Sequence, residues 1–399
     1  MKKTLHVSLF SLLICLILLS CDGLQWQKKQ KDLFVRTTMD KVLSQIDRQL
    51  ADLKDSAMFP GSFVDGKLIL KPADDWTSGF FPGTLWYLYK YTHDEKWKTS
   101  AKKWTEMLAS DQYLTNTHDL GFMVFCSYGN GFKYGHMDEY GKVILHASES
   151  LCTRFNPKVA CIKSWDSKGQ YLVIIDNMMN LEMLLWASKF SSDSSFFKIA
   201  LAYVDITLKN HFRPDNSSYH VLNYDTVSGQ VIWKHTAQGY SDSSLWARGQ
   251  AWGLYGYTVM YRETKEPRYI DQAKHIADLL ISQKNMPDDG VPYWDYSDPA
   301  IPNTMRDVSS ACIMASALLE LYNYTDKTNS AKYYSFAEKI LHSLSSEAYM
   351  AKPGTNGNFI LLHSVSSKPA HSQVDVPLNY ADFYFVEALL RYNESVPPK

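Results

Sequence analysis

About twelve stretches of helical periodicity, most in neighbouring pairs, constrain this chain more than any other feature. Val35, Met39, Val42, Leu43, Ile46 and Leu50 repeat at helical spacing. Further stretches lie near 76–92, 95–110, 118–127, 145–154, 176–190, 195–210, 246–262, 267–284, 308–324, 330–346 and 378–392. Short turns at 91–94 and 262–267 each lead into an amphipathic helix. The recurring unit is an apolar helix rich in Gly and Trp, then a helix with one polar face. An inner and an outer ring satisfy that alternation. Six such hairpins closed in a circle make an all-α (α/α)6 toroid. Three long loops, 211–245, 285–307 and 349–377, interrupt the pattern, the first with a hairpin expected around 227–230; long loops in a compact domain are often functional.

The N-terminus reads as a targeting segment. Lys2 and Lys3 precede an apolar run from Leu5 to Leu19, short for a membrane span. It ends Leu18-Leu19-Ser20-Cys21, which resembles a lipoprotein cleavage box with Cys21 as the lipidated residue. An ordinary signal peptide with an incidental Cys is the alternative. The expected organisation is a signal peptide over 1–20 and a single domain over 21–399, exported to the periplasm or cell surface of a Gram-negative-type bacterium. Cys126, Cys152, Cys161 and Cys312 show no zinc spacing and read as buried thiols, with a Cys152–Cys161 bridge open to an exported protein.

A net charge of -1 gives no support to a nucleic-acid or polyanion binder. Eleven Trp and 26 Tyr are core material first, but they also suit a sugar cleft, where a pyranose lays its C–H face on an aromatic ring. Asp176 lies inside the apolar block Tyr171–Trp186, where a carboxylate must find a partner or shift its pKa. A proton-ready carboxyl suits a general acid; an N-cap opening a buried helix is the structural alternative. In Trp246–Gly256, Gly249, Gly253 and Gly256 share a helix face and invite close packing. Arg248 and Trp252 lie on the adjacent face, able to grip a carboxylate and stack on a sugar, or to pair with an internal Asp and fill the core. His118-Asp119 sets an imidazole beside a carboxylate, although these residues alone read more readily as an N-cap Asp beside a surface His. HExxH, Walker A and GxSxG motifs are absent from the sequence. Two carboxylates and many aromatics in an exported helical chain point to carbohydrate chemistry.

Six motifs in order resemble the unsaturated glucuronyl hydrolases, glycoside hydrolase family 88: Trp76–Gly83, His118–Phe122, Asp176–Leu181, Gln238–Tyr240, Trp246–Trp252 and Tyr380–Phe385. The resemblance covers nearly all of the mature chain and implies the (α/α)6 barrel. It also implies exo-acting release of a Δ4,5-unsaturated uronic acid from oligosaccharides left by polysaccharide lyases, without metal or organic cofactor. In that chemistry an acid protonates C4 of the C4=C5 bond, water adds at C5, and the hemiketal opens to expel the remaining sugar. Residue by residue, Asp176 matches the acid/base and Asp119 the second essential carboxylate. His220, Gln238, Arg248 and Trp252 match residues around the uronate and water, and Trp76 an aromatic at the pocket wall. Ser364, Ser366 and Lys368 are similar to a Ser-x-Ser-x-Lys pattern that holds a sulfate in some members, with a Ser-rich surface loop as the alternative. Sulfated chondroitin- or heparin-type fragments are therefore the expected substrates. An unsaturated rhamnogalacturonyl hydrolase, an epimerase on the same barrel and a non-catalytic glycan-binding lipoprotein are the competing readings.

Overall fold

The computed structural model describes the backbone of residues 3–398, and side chains from Gln25 onward except Gln27. The expected signal segment 1–20 and the Cys21 thiol lie outside the described side chains. Twelve α-helices appear among the described residues: α1 Lys3–Asp52, α2 Phe80–Thr92, α3 Glu95–Glu106, α4 Asn130–Gly135, α5 Tyr140–Cys152, α6 Leu181–Ser191, α7 Ser194–Asn210, α8 Ala247–Thr264, α9 Pro267–Ile281, α10 Val308–Leu321, α11 Lys327–Leu344 and α12 Asn379–Glu394. A π-helical segment, Gly121–Gly129, runs directly into α4. Short strands fill the loops: β1 Phe59–Val64, β2 Lys67–Lys71, β3 Phe155–Asn156, β4 Cys161–Ile162, β5 Asp166–Ser167, β6 Gln170–Ile174, β7 Val221–Tyr224, β8 Val231–His235, β9 Ser364–Ser367 and β10 Ser372–Val376.

The inner ring runs α2, the π segment with α4, α6, α8, α10 and α12, each against the next, and α12 closes on α2. Helices α3, α5, α7, α9 and α11 back their sequence neighbours. The sixth outer helix is α1, which packs on α12 from the other end of the chain. Phe34 meets Tyr392 edge-on at 6.1 Å, and Lys31 Nζ donates to Ser395 Oγ at 3.1 Å. The structure is thus an (α/α)6 barrel in which five hairpins are local and the chain ends supply the last.

Local chemistry explains the two rings. Outer helices α3, α7 and α11 begin at Asp94, Asp193 and Asp326, whose carboxylates accept backbone N–H groups of the first turn. Among inner helices only α10 has such a cap, Asp307. The others begin without a side-chain cap, so their free N–H groups and positive dipole ends collect at one mouth of the barrel. Inner helices bury residues around most of their circumference. Outer helices bury one stripe, such as Trp97, Ala101 and Trp104 on α3. Trp86 of α2 donates its indole N–H to Thr105 of α3 at 2.9 Å, so the ring contact is polar-satisfied as well as apolar.

The expected hairpin is present as β7–β8, turning through Gly229 at φ 75°. Helical periodicity did not reveal that it joins β5 and β6 in a four-stranded antiparallel sheet, order β5-β6-β7-β8. Cys126, Cys152, Cys161 and Cys312 are free thiols. Burial pushes the Cys152 thiol up to about 12.

Candidate active site

The apolar block around Asp176 divides into three. Gln170–Ile174 is β6, Ile175–Asn180 is a 3-10 turn, and α6 follows. Asp176 lies in the turn with 13% of its side chain exposed. It does not cap α6, whose N-cap position is Asn180 with no side-chain cap bond, so the helix-cap reading is set aside. Antiparallel register pairs Ile174 with Val221, and Ile175 N–H donates to His220 O at 3.1 Å. That register brings His220 beside Asp176, with Nε2 3.6 Å from Oδ2. His220 Nδ1 accepts the backbone N–H groups of Ala237 and Gln238 at 3.1 and 3.3 Å, so the ring hydrogen is on Nε2, facing the carboxylate. Gln250 of α8 clamps Ser218, two residues before His220, through its N–H at 2.8 Å and its carbonyl at 3.2 Å.

Helix α8 forms the next wall. Two of its three glycines admit the Asp176 turn. A Cβ on Gly256 would lie 2.5 Å from Met178 Cβ, and one on Gly249 would meet the Trp246 ring at 2.6 Å and Ile175 at 3.4 Å. Gly253 faces Ile276 and Phe212 with ordinary room, so it serves no close approach. Trp252 is fully buried, and its indole Nε1 has no partner. Arg248 is 1% exposed and pairs with the internal Asp307, Nη1 to Oδ2 at 3.4 Å. Its guanidinium also donates to the carbonyls of Val365 and Ser366 and, at 2.8 Å, to Gln238 Oε1. It lies over Trp246 at 4.7 Å and Tyr380 at 5.5 Å. Only Nε is left without a partner. The internal Asp partner expected for Arg248 is thus present, and its Nη groups brace Gln238 and β9.

Asp119 precedes the π segment. His118, read from sequence as a surface residue in one alternative, is 1% exposed, with Nε2 3.3 Å from Asp119 Oδ1. Asn180 Oδ1 accepts the Phe122 N–H at 3.2 Å, which ties the Asp119 segment to the Asp176 turn. Trp76 is partly exposed and packs on Tyr380 at 5.1 Å and Phe122 at 5.5 Å, with Trp252 behind Phe122 at 5.2 Å. The structure therefore gathers Trp76, Asp119, Asp176, His220, Gln238, Arg248 and Trp252 at the N-terminal mouth of the inner ring.

Ser364 and Ser366 lie on β9 and Lys368 just after it, beside Arg248, with Ser364 buried and Lys368 already engaged within the protein. Ser364 is fully buried with an unpartnered Oγ. Lys368 Nζ donates to Asp298 Oδ2 at 2.8 Å and Thr304 Oγ1 at 3.0 Å, and lies 4.8 Å from the Trp294 ring centre. Despite burial, Lys368, Thr304 and neighbouring N–H groups hold the Asp298 carboxyl well below its usual value, so the ammonium is already neutralised within the protein.

Burial raises the Asp176 carboxyl to about 7; the Arg248 charge opposes this, an ionised Asp119 would add to it, and the Trp252 indole opposes it from outside good hydrogen-bond geometry. Asp119 is also raised by burial, against His118 and Thr117. Burial lowers His220 to about 3, helped by Arg248, so its ring is neutral. Near neutral pH the site thus holds a carboxyl able both to give and to take a proton.

Sequence reasoning passed over Trp165, edge-on to His220 at 5.7 Å, and Asp307, which ties the α8 and α10 starts to β9. Asp-x-Ser before an apolar run is a capping signal that marks Asp307 as a helix start, but nothing local announces its Arg248 bond. Among the described residues, no group of three or more His, Cys, Asp or Glu is placed to hold a metal ion. A separate cavity of about 720 Å³ opens at the C-terminal end of the ring, where Arg262 and Arg391 are fully engaged by Glu182, Glu263, Glu320 and Glu387.

No protein-family model matches the chain. It is 47% identical over 324 residues to the unsaturated glucuronyl hydrolase of Formosa agariphila, covering 80% of each protein. It is 30% identical over 368 residues to the unsaturated chondroitin disaccharide hydrolase of Streptococcus pneumoniae, covering 90% of this chain and 91% of the relative. Among solved structures, an unsaturated glucuronyl hydrolase specific for heparin superposes with a TM-score of 0.88 at 45% identity, over 91% of this chain and 98% of that one. With shared identity along most of its length and a shared barrel, the chain belongs to the unsaturated glucuronyl hydrolase family.

Proposed function

We propose that this protein is an exo-acting hydrolase that removes Δ4,5-unsaturated uronic acid from the non-reducing end of lyase-generated glycosaminoglycan oligosaccharides. The observation that carries this reading is a convergence of buried polar atoms without protein partners. Asp176 Oδ2, Trp252 Nε1, His220 Nε2 and Arg248 Nε are all buried without a hydrogen-bond partner. Buried polar groups are rarely left unpaired, so such a cluster calls for a polar ligand. Uncapped inner-helix starts favour an anionic one, as a uronate is.

In this reading Asp176, protonated, delivers its proton to C4 of the double bond. Its carboxylate then takes a proton from water adding at C5, and the hemiketal opens to release the sugar beyond. His220 Nε2–H orients the carboxylate, Asp119 holds ring hydroxyls, and Trp76 offers an aromatic wall. Arg248 keeps Gln238 and β9 in place. The family relatives that act on chondroitin disaccharide and on heparin support sulfated fragments as substrates. Ser364, Ser366 and Lys368 meet a sulfate only if it competes with Asp298 for the ammonium. We further place lipid attachment at Cys21 after removal of residues 1–20, with 21–399 as one catalytic domain exported to the periplasm or cell surface. Labelling with palmitate that persists in Cys21→Ser rules out that anchor.

The test of activity is loss of the ultraviolet absorbance of the C=C–COO⁻ group on unsaturated disaccharides with and without sulfate. If the wild-type protein leaves all of them unchanged, the hydrolase reading fails.

A further inference from the structure

The protonation of His118 is set by a chain of hydrogen bonds that begins at the backbone. Phe122 N–H donates to Asn180 Oδ1 at 3.2 Å, and a backbone N–H allows no other direction. Asn180 therefore turns its NH2 toward Asn177, which answers with its carbonyl oxygen at 3.1 Å. That same oxygen faces His118 Nδ1 at 3.1 Å. An amide oxygen only accepts, so Nδ1 carries the hydrogen. Reversing either amide sets donor against donor.

Nε2 of the neutral ring is then a lone pair. It is buried without a well-aligned partner, and Asp119 Oδ1 lies 3.3 Å away. A lone pair beside an ionised carboxylate is repelled, whereas beside a carboxyl O–H it is an acceptor. We infer that His118 is a neutral Nδ1–H imidazole whose Nε2 keeps a proton on Asp119, so that Asp119 enters the reaction as a neutral carboxyl group. His118 is thereby a positioning residue for the reaction proposed above, on which its catalytic meaning rests.

Burial acts in the same direction on both groups, lowering His118 and raising Asp119. The other charges facing the pair are Arg154, which is neutralised by Asp166 at 3.1 Å, and Asp75, which is paired with Lys71 at 3.0 Å. Beyond them are Asp176, raised by a negative Asp119, and His220, which is neutral. Two consequences follow for the site. A neutral Asp119 spares Asp176 a second anion beside it. A carboxyl group also donates as well as accepts, so it can hold a sugar hydroxyl in either sense. His220 has the opposite tautomer, presenting N–H to Asp176, so the two imidazoles give the two carboxylates different states.

The test is the ¹⁵N spectrum of histidine-labelled wild-type protein without substrate. The His118 signals are identified by their loss in His118→Gln or their displacement in Asp119→Asn. A protonated-type shift on Nδ1 and a lone-pair-type shift on Nε2, constant across about pH 6 to 8, is the expected result. A hydrogen on Nε2, in either the neutral or the doubly protonated ring, overturns the inference. In the pH profile of kcat/KM, His118→Gln should move the alkaline limb upward by about one pH unit, because Asp119 then ionises and raises Asp176. An unmoved limb also overturns it. Absence of wild-type turnover would instead remove the hydrolase reading and leave the spectroscopic result standing.

Discussion

Replacing Gly121 with Ala tests whether the spacing between the two carboxylate segments, rather than their mere presence, sets the rate. A Cβ at position 121 would lie 2.6 Å from both Asn180 Cα and Asn180 Oδ1, and 3.1 Å from Asn180 Cβ. Ordinary carbon contacts begin near ~3.5 Å, so the π segment and the Asp176 turn must part by about 1 Å. Neither neighbour yields easily: one clash is with backbone, and the other with the oxygen that accepts Phe122 N–H. Overpacking of this kind costs about 1–3 kcal/mol. A displacement of about 1 Å between reacting groups costs on the order of 100-fold in rate. Gly121→Ala should therefore keep its fold, lose stability by that amount, and drop in kcat/KM by roughly two orders of magnitude. Gly253→Ala is the control, since its nearest neighbour would be Ile276 at 3.5 Å. It should retain activity and gain up to about 1 kcal/mol from helix propensity. The assay pairs denaturant unfolding with the ultraviolet assay on an unsaturated disaccharide. If Gly121→Ala is destabilised but stays within about threefold of wild-type kcat/KM, the close approach serves packing alone and does not set the rate.

Asp176→Asn should abolish turnover and stabilise the protein at alkaline pH. The folded carboxyl sits at about 7 against the 3.8 of an unperturbed Asp, so wild-type stability is fully present below about pH 4 and declines as pH rises to about 7. Asn cannot ionise, so the variant should be more stable by about 1–4 kcal/mol at pH 8 and equal to wild type at pH 4; no pH-dependent difference in unfolding would remove the raised carboxyl. Wild-type kcat should fall through about pH 7 as Asp176 loses its proton, and a rate flat to pH 9 would assign the acid elsewhere. Arg248→Lys cannot reproduce a fork that reaches Gln238, Asp307 and two carbonyls of β9, so it should cost about 2–4 kcal/mol in denaturant unfolding; unchanged stability would return Arg248 to the role of a substrate grip. Lys368→Ala should lower the ratio of activity on sulfated over unsulfated disaccharides if the ammonium meets sulfate, whereas an unchanged ratio makes Lys368 a latch for Asp298 and Thr304.

The helices and their alternation are legible in residue order alone, because each inner helix is apolar nearly all round and each outer helix has one buried stripe. Helices read near 195–210, 246–262 and 378–392 appear at Ser194–Asn210, Ala247–Thr264 and Asn379–Glu394. Asp176 stood out because a carboxylate within an apolar run has few inexpensive explanations. Local periodicity says nothing about pairing between distant segments. Long-range packing is what closes the ring with α1 against α12, and what pairs β6 with β7 in the register that sets His220 beside Asp176. Arg248 shows the limit most plainly. Its neighbour Trp252 suggested a face that stacks on a sugar, but its partners lie 59 and 117 residues away in Asp307 and Val365. A guanidinium can serve a ligand or a fold with the same five donors. Which it serves depends on what long-range packing brings within reach, and that information is held in the barrel rather than in any one helix.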